Sequence, residues 1–209
     1  MFDTQTQIIG YASSKEQFSE QMSLIKDKFQ YYNDLYDIYH DYEGMNNIKT
    51  INDNAGIQPV KVDEEIIELL KLGITMDEKT DGNMNIAMGS VLSIWHDYRE
   101  AGSEDPYSAE LPPMDELERA AEHTDIHDIV IDEEASTVYL TDPDMSLDVG
   151  SIGKGYAVQK VAEYAKNELG IRYMLFSVGG NVCAIGGHPD GSAWRSEFRI
   201  LMWRVIRHI

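Results

Sequence analysis

One stretch limits the architecture more than any other. From Ser146 to Val158 the chain reads SLDVGSIGKGYAV: a short apolar run, glycines at 150, 153 and 155, then Tyr156, Val158, Val161, Ala162 and Ala165 at helical spacing. This predicts a strand through Leu147 and Val149, a glycine-rich turn and a helix over 155–169. Such a turn suits an anion. Glycines let backbone N–H groups approach a phosphate, the helix start adds unpaired N–H groups and a positive dipole end, and Lys154 adds a point charge. Asp148 has the opposite sign and suits a base or ring N–H, or a share in a cation site. Neither the Walker phosphate loop nor the dinucleotide pattern GxGxxG is matched, so both of those nucleotide readings are excluded. The same arrangement also serves as an ordinary connection from strand to helix.

Around this block, helices and hairpins alternate. Residues 3–11 read as a strand, and Ser13 or Ser14 can cap a long helix whose apolar positions run from Phe18 through Ile25, Phe29 and Tyr32 to Ile38, ending near Gly44. The Asn-rich stretch 45–56 reads as irregular, and 59–62 as a short extended piece. Asp63 then caps a helix that turns Ile66, Ile67, Leu70 and Ile74 inward and stops at Thr80-Asp81-Gly82. A third helix, over 86–100, carries Met88, Val91, Leu92 and Trp95 on one face, and a short surface helix runs from Met114 to about Glu122. Strand pairs at 128–132 with 136–140, and at 173–178 with 181–185, surround turn residues at Glu133-Glu134-Ala135 and Gly179-Gly180. The order predicts an α+β fold with a mixed, partly antiparallel sheet and flanking helices.

Composition removes several functions. With 37 Asp and Glu against 17 Lys and Arg, the net charge of −20 opposes phosphate backbones, so no nucleic acid is expected as a partner. The lone Cys183 excludes an intrachain disulfide framework and a multi-cysteine zinc site. No run reaches the roughly 18 apolar residues of a membrane span, and the start FDTQTQIIGYA has no signal-peptide pattern, so a soluble chain without a leader is expected.

Other polar groups have two readings each. In TDGNMNIAMG, from Thr80 to Gly89, Asn83 and Asn85 can present amides to a flat ring, or form a helix cap and turn with unusual dihedrals at Gly82 and Asn83. Tyr31, Tyr32, Tyr36, Tyr39 and Tyr42 can form an aromatic platform or a half-buried helix. His123 and His127 are four apart but lack a third ligand nearby, so solvated histidines are expected. The acidic run Asp63-Glu64-Glu65 suits a helix dipole and receives no further role.

Four blocks taken together carry a family resemblance: SLDVGSIGKGYAVQKVAEYAKNELGI, FSVGGNVCAIGGHPDG, TDGNMNIAMGSVLSIWHDY and the early FDTQTQIIGY. In order and spacing they resemble the ApbE family, the FAD:protein FMN transferases. The resemblance implies a T-shaped ApbE-like α+β fold and a Mg²⁺-dependent enzyme that moves FMN from FAD to a Thr or Ser hydroxyl of a target, releasing AMP. The target would be a membrane redox-pump subunit or a flavin-carrying reductase. FAD pyrophosphatase activity, or a non-catalytic flavin-binding remnant, is the alternative. By motif, Phe2, Tyr39, Asn83, Met84, Asn85, Asp148 and Lys154 would contact FAD, and the backbone carbonyl of Ser151 would ligate Mg²⁺. Where many members have Asp, Asn85 keeps hydrogen bonding but removes a charge. Members are typically lipoproteins anchored at the outer face of the cytoplasmic membrane.

Residues 1–195 are expected to form the transferase domain, incomplete at its C-terminal end, because the family's HxIDPxTG and ADALST-like blocks do not occur in this chain. The second of those blocks supplies the other Mg²⁺ ligands, so weak or no activity is expected of this chain alone. The segment Ser196–Ile209 departs from the family pattern and carries Arg199, Arg204 and Arg207 against the single acid Glu197. Its back-translation, shifted by one base, restores VGIQNPD, a family continuation, and it reads as an out-of-frame tail.

Overall fold

The computed structural model describes residues 4–196; Phe2 and the tail from 197 onward lie outside the described residues. Two antiparallel sheets divide the strands. In the first, β1 (Thr6–Gly10), β5 (Met174–Val178) and β6 (Asn181–Ile185) lie in the order β1-β5-β6, with Ile8 opposite Phe176 and Phe176 opposite Cys183. In the second, β2 (Val60–Lys61), β4 (Thr137–Leu140) and β3 (Ile129–Asp132) lie in the order β2-β4-β3. The α+β class is as the sequence predicts. Parallel pairing is confined to one isolated bridge among the described residues, between Met88 and Ser146.

The core lies where α1 (Lys15–Leu35) and α6 (Gly153–Asn167) cover the first sheet. Strand alternation puts Met174, Phe176 and Val178 inward, and Phe176 meets Phe29 of α1 edge to face at 6.1 Å. From α6, the face Ala157, Val158, Val161, Ala162 and Ala165 is buried. The helix α3 (Glu64–Lys79) adds Ile66, Ile67, Leu69 and Leu70, and Asp63 caps it through Glu65 N–H at 3.0 Å. No helix among the described residues is long and apolar enough to cross a membrane.

Several local expectations need correction. Ser14 caps α1, but the helix stops at Leu35 instead of running on toward Gly44. The cause is Asp37, whose carboxylate accepts from the N–H groups of Tyr39 at 2.7 Å and His40 at 3.2 Å, giving the backbone an alternative to the helical ladder. The stretch read as irregular holds a helix, α2 (Ile48–Asn52), nucleated by a reciprocal capping box between Asn47 and Thr50. Asn47 is fully buried and its amide also donates to the carbonyls of Asp34 at 3.1 Å and His40 at 2.8 Å, which pins the end of α1 to α2.

Two further helices border the site: α4 (Gly89–Glu104), which begins three residues after the predicted start, and the surface helix α5 (Met114–Ala121). The segment before the glycine turn, predicted as a strand, joins no sheet. Both backbone groups of Leu147 are taken by the Asn52 side chain, at 2.8 and 3.0 Å. Asp148 N–H instead donates to Ile86 O at 2.9 Å, and Gly89 N–H to Ser146 O at 3.0 Å. These bonds fasten the glycine turn to the loop between α3 and α4.

Candidate functional site

The turn that ends α1 and the glycine turn that starts α6 face each other across a cavity of about 580 Å³. Tyr39, Asp148 and Lys154 line it together with Asp37, Arg99 and Gly150. A second cavity of about 510 Å³ adjoins it and shares Tyr39, Arg99 and Asp148; its apolar wall is Leu92, Trp95 and Leu111. Three of the residues expected to contact the cofactor therefore converge, from segments more than a hundred positions apart in the chain.

Asp37 organises one wall. Besides the two backbone bonds, it accepts from Tyr42 Oη at 2.7 Å and lies 3.0 Å from His40 Nδ1. Partial burial pushes its carboxyl upward, but these hydrogen bonds together outweigh burial and hold it below its ordinary value. Tyr39 is thereby turned outward and exposed, with its ring 5.2 Å from that of His96 at a 31° tilt. Burial first, then the Asp148 charge, raises the Tyr39 phenol above its ordinary value while Arg99 opposes them, so the hydroxyl remains a proton donor near neutrality.

The opposite wall is the glycine turn. Asp148 Oδ1 accepts from Gly150 N–H at 2.8 Å, and its second oxygen has no protein hydrogen bond among the described residues. The helix opens at Gly153, two positions earlier than its spacing predicts; Gly153 N–H donates to Val149 O at 2.7 Å, and Gly153 and Lys154 line the cavity. Gly89 is required for a different reason: a Cβ there would lie 2.5 Å from Ser146 O, so only a bare backbone lets the two segments approach.

The block Asn83, Met84 and Asn85 meets this turn through one side-chain hydrogen bond among the described residues. Met84 Sδ lies 3.7 Å from Ser151 Oγ. Asn85 is occupied structurally, donating to Thr124 O at 2.9 Å and accepting from Ala87 N–H at 2.7 Å. Asn83 is exposed and donates to Thr80 O at 2.6 Å. The left-handed residues of that turn are Asp81 and Gly82, at φ 51° and 76°, and not Asn83. Ser151 is exposed on the glycine turn.

The tyrosine run divides. Tyr32 and Tyr36 are buried, with Tyr32 Oη donating to Glu65 Oε1 at 2.9 Å and Tyr36 Oη to Glu65 O at 3.4 Å; Tyr36 and the half-buried Tyr42 also line the first cavity, and Tyr39 is the exposed ring of the run. Glu65, given no role beyond the dipole, receives this network and lies 3.5 Å from Lys160 Nζ. Arg99 and His96, on a helix recognised only for its apolar face, are site residues that the sequence reading misses. Their spacing of three was the available signal.

His123 and His127 are not brought together on a helix; His127 sits in a 3-10 turn, Ile126–Asp128. His123 instead binds Asp142 Oδ2 at 2.7 Å, and with Asp144 these groups bring ligand atoms within 4.8 Å of one another. Its hydrogen bond to Asp142 raises the His123 pKa, and that of Asp142 is lowered, first by Asp144 N–H and then by His123.

Comparison with known proteins gives a consistent result. The profile of the ApbE family matches residues 2–200. The FAD:protein FMN transferase of Escherichia coli K12 is 25% identical over 174 residues, covering 82% of this chain and 48% of that protein. One from Klebsiella pneumoniae is 29% identical over 139 residues, covering 66% and 42%. The chain thus spans about half the length of the curated relatives it matches. Among solved structures, a mutant of the flavin transferase ApbE from Vibrio cholerae superposes at a TM-score of 0.78 with 21% identity, over 95% of this chain and 64% of the other. The Thermotoga maritima ApbE protein gives 0.72 with 23% identity, over 90% and 57%.

Proposed function

The chain belongs to the ApbE family, and from that premise we propose that it takes part in flavin transfer, moving FMN from FAD to a Thr or Ser hydroxyl of an acceptor protein. The observation that carries the reading is the convergence of Tyr39, Asp148 and Lys154 on one cavity, with Met84 bringing the third block against Ser151. Flavin and adenine both have flat faces, and the exposed ring of Tyr39 is a stacking surface for one of them. Lys154, at the start of α6, and Arg99 line the cavity and would offset phosphate charge in a chain of net charge −20. Asn83, with its exposed carbonyl, would bind from the rim, while Asn85 would act by holding the Met84 turn in place.

The reaction is phosphoryl transfer. The acceptor hydroxyl oxygen bonds to the FMN phosphorus as its proton passes to solvent, the bond to the bridging oxygen breaks, and AMP leaves with that oxygen. Positioning and charge neutralisation dominate such a step, and these are what the cavity walls provide. Mg²⁺, held in part by the Ser151 carbonyl, would supply further neutralisation of phosphate charge; an exposed Ser151 on the same turn as Asp148, which has one unspent carboxylate oxygen, fits a hard cation's preference for oxygen. The acceptor is proposed to be a redox-pump subunit or a flavin-carrying reductase.

Incubating the 209-residue chain with FAD, Mg²⁺ and an acceptor protein, then reading covalent flavin fluorescence in a denaturing gel, tests this. A fluorescent acceptor band supports transfer. Release of free FMN and AMP with no labelled acceptor would replace it with FAD hydrolysis, and no FAD binding at all would sink it.

A further inference from the structure

Arg99 and His96 stand one turn apart on α4 and belong to none of the residues carried over from the family motifs. Arg99 lines both cavities where they meet, beside Tyr39 and Asp148. Its Nη2 donates to His96 Nδ1 at 2.6 Å. A guanidinium offers only donors, so that ring nitrogen accepts, and the ring proton belongs on Nε2, which lies 3.0 Å from Glu100 Oε1. The same Nδ1 is 3.5 Å from Tyr39 Oη. His96 is therefore a bracket, anchored by Glu100 on one side and holding Arg99 and the Tyr39 ring on the other.

No carboxylate pairs with Arg99 or with Lys154 among the described residues. Acids outnumber bases by 37 to 17 in this chain, and Asp37 and Asp148 line the same cavity, yet neither of these two cations forms an ion pair among the described residues. Most of the guanidinium fork is unspent, and its planar donors match phosphate oxygens.

We propose that Arg99 is a specificity-determining residue of this site: its guanidinium binds phosphate oxygens of the flavin dinucleotide and makes the cavity select FAD over riboflavin, which carries no phosphate. His96 is the positioning residue that aims it. The inference rests on the flavin-transfer reading above and names which group recognises the anionic part of the substrate.

The test is equilibrium binding of FAD and of riboflavin to the full chain, by flavin fluorescence quenching. The wild-type chain binds FAD more tightly than riboflavin. Arg99→Gln weakens FAD about tenfold, the scale of a lost charge-assisted hydrogen bond, and leaves riboflavin unchanged, so the selectivity collapses. Arg99→Lys restores part of the FAD affinity through charge alone. His96→Ala produces a smaller loss for FAD only, and His96→Asn, which keeps an acceptor near the Nδ1 position, recovers part of it; a packing role would weaken both ligands alike. An unchanged FAD-to-riboflavin ratio in Arg99→Gln, or an equal loss for both, overturns the inference while the flavin reading stands. A wild-type chain that binds neither overturns the flavin reading itself, and the inference falls with it.

Discussion

Helices α3 and α4 follow each other in the chain and have the same length, yet their apolar faces meet different fates. From α3, Ile66, Ile67, Leu69 and Leu70 are sealed in the core. On α4 only Gly89 is buried, while Leu92 and Trp95, read from the sequence as part of one apolar face, are 40% and 42% exposed and wall a cavity. An apolar stripe states that a face can be covered, but not by what. On α3 the cover is the protein itself; on α4 it is space that a ligand ring can fill, bordered by Tyr39 and Arg99.

The comparison is broken most severely by emptying the sealed side. Phe29→Ala removes the ring packed on Phe176 and is expected to cost about 3–5 kcal/mol, read from urea denaturation. Asn47→Ala, which strips a buried cap and two carbonyl partners, is expected to cost about 1–3 kcal/mol and to loosen the turn that presents Tyr39. Gly89→Ala forces a methyl group against Ser146 backbone and should cost about 1–3 kcal/mol, parting α4 from the glycine turn; weakened FAD binding in the same variant would sharpen the link between this approach and the site.

On the open side the order of effects reverses. Trp95→Ala is expected to change stability by no more than about 0.5 kcal/mol while reducing FAD affinity several-fold. A stability loss on the scale of the Phe29 variant would show that α4 is core after all, and would erase the distinction. The smallest expected effect is a pH dependence at the far end of α5. His123 has a raised pKa through Asp142, so its contribution is complete below the unfolded histidine pKa and is lost as pH rises through the folded one. Melting curves of the wild type and Asp142→Asn should therefore converge on the alkaline side of histidine's ordinary range, and a gap that widens there would contradict the assignment.

The legible parts of the site were those where local chemistry decides the outcome. The glycine turn, the two hairpins and the caps at Ser14 and Asp63 are short-range features, and the family resemblance points to Tyr39, Asp148 and Lys154, which one cavity brings together. Illegible parts depend on distant partners. The amide of Asn85 is committed to Thr124 O, thirty-nine positions away, and Leu147 is denied a strand neighbour by Asn52, ninety-five positions away. Nor does spacing reveal that Asp142 and Asp144 stand beside His123, because the β3–β4 hairpin returns the chain to that point.

By itself the sequence determined the α+β class, the family and the segments that border the site, because periodicity, capping residues and glycine placement act within a few residues of the positions they control. Only the tertiary structure decided which apolar face stays open, which amides are already spent and which cations form no ion pair. Those outcomes depend on what is within a few ångströms in space, and a hydrogen bond or an ion pair made elsewhere in the chain removes a side chain from the chemistry that its type alone would allow.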